Sequence, residues 1–211
     1  MYAYLHGFAS GPTSSKGKWL AERFAENGRH LALPDLTPGP DGFERATPLT
    51  MLDEVARLLS TKAGERHLLI GSSLGGLIAT LAAERDPAVE KLVLLAPAFR
   101  LAERWRQRMD SAELARFRDE GSIEVDHYAT GTRRRMPYRF LEDADTLPDY
   151  PSVSIPVLCI AGRHDELVPL ADVEAFVART KTAQLVVVED GHELTASLPI
   201  IWEQIVRFAG F

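Results

Sequence analysis

The chain has 211 residues, 45% of them hydrophobic and 26% charged, enough to bury one sizeable core and ordinary for a single globular domain. Its 24 basic and 30 acidic side chains leave a formal charge of −6, which removes any electrostatic reason to bind nucleic acid or an anionic membrane. Cys159 is the only cysteine, so an intrachain disulfide is excluded and a reducing compartment is expected.

The chain opens on an apolar run at residues 2–5 with no basic segment and long apolar stretch of the secretory kind. No apolar run approaches the roughly 18 residues that span a bilayer. A cytoplasmic protein is expected, with no membrane association. The run feeds into His6-Gly7-Phe8-Ala9-Ser10-Gly11. The next residues, Gly11 to Lys18, resemble a phosphate-binding P-loop but fail the pattern. Position 16 is Lys where Gly is needed, and Trp19 stands where Ser or Thr must follow Gly17-Lys18.

Further apolar runs at 31–33, 68–70, 92–96, 157–161 and 185–188 are near-continuous rather than alternating. That pattern predicts strands covered on both faces, as in a parallel sheet. Helical patterns lie between them. Leu52, Val55, Ala56 and Leu59 recur at helical spacing, with Thr47 placed as N-cap and Pro48 at the first helical position. Leu194, Leu198, Ile201, Ile205 and Phe208 form a second stripe. Such alternation predicts a three-layer α/β/α fold with right-handed crossovers. Cys159, inside its apolar run, reads as a buried and unreactive strand residue.

Residues 100–152 interrupt the rhythm. The first part is charged and helix-prone; the second holds Gly131, Arg133-Arg134-Arg135, Pro137, Pro148 and Pro151. An excursion of this length at a strand end predicts a small helical cap or lid, and the three arginines read as a solvated loop. No repeat or linker divides the chain, so a single domain over 1–211 is expected.

Gly71-Ser72-Ser73-Leu74-Gly75 matches G-x-S-x-G between an apolar strand and a helical pattern. The pattern calls for a serine on a sharp, strained turn, with glycines where side chains would collide and a helix N-terminus behind it. Ser72 cannot be that serine, because its two-residue neighbours are Ile70 and Leu74. A serine hydroxyl needs a base, and the base a carboxylate. Asp165, and its rival Glu166, follow the strand at 157–161; His192 follows the strand at 185–188. The order Ser, Asp, His fits. His30 and His67 precede strands and fall on the opposite rim, and His127 lies in the excursion. The backbone N–H groups of Phe8 and Leu74 are the candidate oxyanion donors, with His6 shaping the loop.

Together these motifs resemble the α/β-hydrolase superfamily, over nearly the whole chain. The opening through Ser14-Ser15-Lys16 and the doublet Ser72-Ser73 are similar to small bacterial carboxylesterase-like hydrolases. Larger members carry two or more strands before the His-Gly loop, whereas here that loop follows the first. The resemblance therefore implies a trimmed, mostly parallel sheet of about six strands, no metal, no organic cofactor, and Asp165 rather than Glu166 as the acid. Ser73 in the nucleophile position points to acyl transfer on a small-molecule ester or thioester. Phe99, Trp105, Met109, Tyr128 and Phe140 are candidates for the acyl pocket, and the short lid leans towards small acyl groups. The alternative is a catalytically silent binding protein on the same fold. Oligomeric state is not legible.

Overall fold

The computed structural model describes residues 1–211. Six parallel strands form one sheet: β1 (Tyr2–Leu5), β2 (Leu31–Ala32), β3 (His67–Ser72), β4 (Val89–Leu95), β7 (Val157–Gly162) and β8 (Ala183–Val188). Their spatial order is β2-β1-β3-β4-β7-β8, so β1 pairs directly with β3, bringing Leu5 beside Gly71.

The near-continuous apolar runs are explained by the two cores they feed. Ala3 and Leu5, Leu69, Leu92 and Leu94, and Val157, Cys159 and Ala161 point to one face. Tyr4, Leu68 and Ile70, Val93 and Leu95, and Leu158 and Ile160 point to the other. Successive strand side chains alternate between faces, and here both faces are covered. The first is packed by α2 (Pro48–Ser60), α3 (Leu74–Arg85) and α7 (Leu170–Arg179), the second by α1 (Ser15–Glu26) and α8 (Leu198–Ala209). The result is the expected three-layer α/β/α arrangement.

Local signals set the helix ends. Thr47 caps α2 through a reciprocal capping box with Thr50, and Pro48 occupies the first turn. The C-terminal stripe begins one turn later than its spacing suggested. Leu194 is fully buried but has φ +53°, and the helix starts at Leu198 with Pro199 in its first turn. Leu194 therefore belongs to the loop that delivers His192.

Residues 100–152 hold α4 (Leu101–Gln107), α5 (Ser111–Glu120), the antiparallel hairpin of β5 (Ser122–His127) and β6 (Thr132–Pro137), and α6 (Arg139–Asp145). The hairpin departs from a purely helical insertion. The three arginines lie on β6 rather than in a loop, and each has a side-chain partner. Arg134 forks onto Glu44 at 2.5 Å, Arg133 pairs with Glu124 at 3.2 Å, and Arg135 bonds Ser122 Oγ at 2.9 Å.

No helix is long and apolar enough to cross a membrane. Burial raises the Cys159 thiol to about 12, so its thiolate is absent near neutral pH. Native protein is expected to resist iodoacetamide at Cys159 for hours and to react fully in denaturant, read by intact mass.

Candidate active site

β3 runs straight into a turn that holds Ser73 at φ +52°, ψ −119°. A non-glycine residue in such a conformation carries about 1–3 kcal/mol of strain and persists only where its surroundings enforce it. Here they do. Ser73 N–H donates to Leu95 O at 2.9 Å, and the Ser73 carbonyl accepts from Gly76 and Ala98 at 2.9 and 3.0 Å. The flanking glycines have a steric reason. A side chain on Gly71 would overlap the Gly75 backbone, and one on Gly75 would overlap the Leu5 carbonyl. The tight turn and the close approach of α3 to β1 both require their absence.

His192 arrives on the loop between β8 and α8. Asp190 fixes that loop by accepting from Gly191 N–H at 2.8 Å and Ser197 N–H at 3.0 Å. His192 Nε2 lies 3.0 Å from Ser73 Oγ, and its Nδ1 lies 2.8 Å from Asp165 Oδ2. Asp165, just past β7, also accepts through Oδ1 from Leu167 N–H at 2.8 Å and Val168 N–H at 2.7 Å. With both oxygens accepting, the proton on His192 belongs on Nδ1, which leaves the Nε2 lone pair facing the serine hydroxyl. The Asp165 side chain is 1% exposed and that of His192 13%, so the pair is shielded while the imidazole edge still meets the cleft. Glu166, the rival acid, is exposed and outside this arrangement. His164 pairs instead with Glu189 at 3.0 Å on the surface.

The loop after β1 closes over the nucleophile. A side chain at Gly7 would meet the Ser72 carbonyl at 3.3 Å and Ser73 Cβ at 3.4 Å, so this backbone lies against the serine. His6 braces the loop from beneath. Its Nδ1–H donates to Gly7 O at 3.0 Å and its Nε2 accepts from Leu36 N–H at 3.1 Å. Burial lowers its pKa below the usual histidine range, which favours the neutral ring that this bonding requires. Phe8 packs against Phe43, Trp105 and Phe140, fixing its own backbone. Phe8 follows Gly7 in the loop that lies against the serine, and Leu74 follows Ser73 directly. Leu74 opens α3, where N–H groups have no partner within the helix.

A cleft of about 910 Å³ opens over Ser73 and His192, within the usual range for small-molecule sites. Of the candidate pocket residues, Phe99 and Tyr128 line it, as does Trp105. Met109 and Phe140 do not, which corrects their assignment. Phe140 is 1% exposed and packs edge-on against Phe8 and Trp105; Met109, just past α4, packs against the core. The sequence reading also passed over two features. Lys16 lines the cleft although it opens a helix, where a lysine ordinarily reads as exposed. Arg104, also lining, is held bidentately by the buried Asp172 at 2.6 Å for each bond, a contact across 68 residues that leaves no trace in local sequence. No group of three His, Cys, Asp or Glu side chains is placed to hold a metal.

The sequence pattern of an uncharacterised protein family, UPF0227, matches residues 1–210. A pimeloyl-[acyl-carrier protein] methyl ester esterase from Xanthomonas campestris pv. campestris is 26% identical over 220 residues, covering 89% of this chain and 83% of that protein. Among solved structures, mouse alpha/beta hydrolase domain-containing protein 10 superposes with a TM-score of 0.81 at 20% identity, covering 99% of this chain and 89% of the other. Est1E from Butyrivibrio proteoclasticus, solved with ferulic acid bound, gives 0.80 at 20% identity, again over 99% and 89%. These likenesses establish the α/β-hydrolase fold.

Proposed function

The chain belongs to the uncharacterised protein family UPF0227, and we propose that it is a serine hydrolase cleaving carboxylic esters or thioesters of small acyl groups through an acyl-enzyme. The observation that carries this reading is the unbroken contact from Ser73 Oγ through His192 to Asp165, at 3.0 and 2.8 Å, beside a cleft able to hold a substrate. The esterase relative from Xanthomonas supports ester chemistry. A silent binding protein would need neither the strained serine nor the histidine aimed at it.

In the first half-reaction, Ser73 Oγ attacks the ester carbonyl while His192 Nε2 takes its proton. The negative charge that develops on the carbonyl oxygen is met by the Phe8 and Leu74 N–H groups, each such donor being worth about 10²–10³ in turnover. His192 then gives the proton to the departing alcohol. In the second half, water attacks the acyl-enzyme with the same histidine as base, and Ser73 is regenerated. Asp165 keeps the imidazole in the required tautomer and stabilises its charged form. Residues 100–152 act as the cap, contributing Leu101, Trp105 and Tyr128 to the cleft.

The test is covalent. A fluorophosphonate probe is expected to label the native protein, with the adduct mapped by mass spectrometry to Ser73. Ser73→Ala should lose both the label and the hydrolysis of p-nitrophenyl acetate and butyrate. Hydrolysis undiminished in that variant would end the proposal.

A further inference from the structure

The lining of the cleft divides chemically by the elements that supply it. Leu101, Trp105 and Val125 come from residues 100–152, with Phe99 just before them; Thr13, Ser14, Ser15 and Lys16 come from the approach to α1 and its first turn, and Glu193 and Thr195 from the loop that carries His192. Lys16 dominates the polar lining. Its side chain is 9% exposed, and Nζ donates to the Glu193 carbonyl at 2.5 Å. The Glu193 carboxylate stays 3.9 Å away and is 74% exposed, so it is a loose partner that can turn into solvent. One of the three ammonium donors is thus used by the backbone next to His192, and Lys16 lines the cleft together with the hydroxyl side chains of Thr13, Ser14 and Ser15. Burial lowers the lysine's pKa, while Glu193, Asp190 and Asp165 act to raise it and favour the charged form. A buried ammonium without a tight counter-ion is costly, and an anionic ligand would supply what is missing. The cap carries cations too. Arg104 is spent on Asp172, and Arg108, exposed, donates to Leu167 O at 2.5 Å.

The direction of the reaction assigns the two sets. The proton taken from Ser73 must pass from His192 Nε2 to the leaving oxygen, so the alcohol portion lies on the His192 side of the serine. The chain just past His192, through Glu193 and Thr195, forms the polar lining together with Lys16. The acyl carbon, bonded to Ser73 Oγ, carries its substituent the other way, towards Phe99 and Trp105. Resting on the serine-hydrolase reading above, we propose that the preferred substrates join an apolar acyl group to an alcohol bearing an anionic group, carboxylate or phosphate, and that Lys16 binds that anion.

The test compares four butyrate-sized esters by titration of released acid at constant pH: ethyl butyrate, carboxymethyl butyrate, 2-phosphoethyl butyrate, and monoethyl succinate, whose charge lies on the acyl side. The wild-type enzyme is expected to favour at least one of the two esters charged on the alcohol over ethyl butyrate by about tenfold or more in kcat/KM, as a charge-assisted hydrogen bond allows. Which of the two is favoured distinguishes carboxylate from phosphate. Monoethyl succinate should show no gain. Because glycolate and phosphoethanol leave more readily than ethanol, the decisive figure is the change in that preference. It should fall about tenfold in Lys16→Met and be kept in Lys16→Arg, whatever either substitution does to turnover of ethyl butyrate. A preference unchanged in Lys16→Met, no preference in the wild type, or a preference for monoethyl succinate would each overturn the assignment. Ethyl butyrate turnover that depends on Ser73 separates these results from a failure of the serine-hydrolase reading itself.

Discussion

His192→Ala is expected to lower kcat for p-nitrophenyl butyrate by about 10⁴–10⁶, and adding Ser73→Ala to it should cost almost nothing more. The second half of that statement is the sharper one. If serine and histidine acted independently, their losses would multiply. In the arrangement described, Ser73 Oγ has one proton to lose and one acceptor within reach, His192 Nε2 at 3.0 Å. Removing either partner removes the same step. On the proposed mechanism, what survives in the double variant is turnover from the Phe8 and Leu74 N–H groups and from holding the ester in the cleft, about 10³–10⁴ above water alone. Steady-state kinetics on the two single variants and the double variant check this. A double variant slower than the parent by the product of the two single losses would show that the two residues act independently.

The strands were legible because a sheet buried on both faces leaves a plain imprint: three to five apolar residues in a row with no polar alternation, as at 157–161. The site was legible for a related reason. Parallel strands carry their functional loops at one rim, so Ser73, Asp165 and His192, each following such a run, had to emerge on the same side. What sequence could not supply was decided by contacts distant along the chain. The β5–β6 hairpin is the clearest example. Arg133, Arg134 and Arg135 have little strand character alone, and Gly131 with Pro137 suggested a loop. Only Ile123, Val125 and Met136, packed against the main core, and the fork of Arg134 on Glu44 give the hairpin its reason to form. Phe99 and Phe140 make the same point at the pocket. Both are aromatic, buried and in the same region, yet Phe99 stacks on Phe176 beside the cleft while Phe140 packs against Phe8 and Trp105, a difference of partner that composition does not encode.

Asp165→Asn is expected to lower kcat by about 10⁴ while leaving the fold and thermal unfolding nearly unchanged, and the reason lies in the two bonds that Asp165 makes away from the histidine. Its Oδ1 accepts from the N–H groups of Leu167 and Val168 at 2.8 and 2.7 Å. Those two donors point at one position and demand an oxygen there. An asparagine in the same place must give its single carbonyl oxygen to them, because turning it over would set an amide NH₂ against two N–H groups. The NH₂ is then left facing His192 Nδ1. A donor there requires Nδ1 to accept, which moves the ring proton to Nε2, the atom 3.0 Å from Ser73 Oγ. The imidazole becomes a donor to the hydroxyl it should deprotonate. The loop is preserved and the base is lost, so fluorophosphonate labelling should slow by a similar factor while far-UV circular dichroism stays native. Asp165→Ala offers the contrast. It removes the acceptor for Leu167 and Val168 as well, and should loosen the loop, lowering the melting temperature along with the activity. Equal activity in Asp165→Asn and the parent would mean that this carboxylate does not set the tautomer of His192.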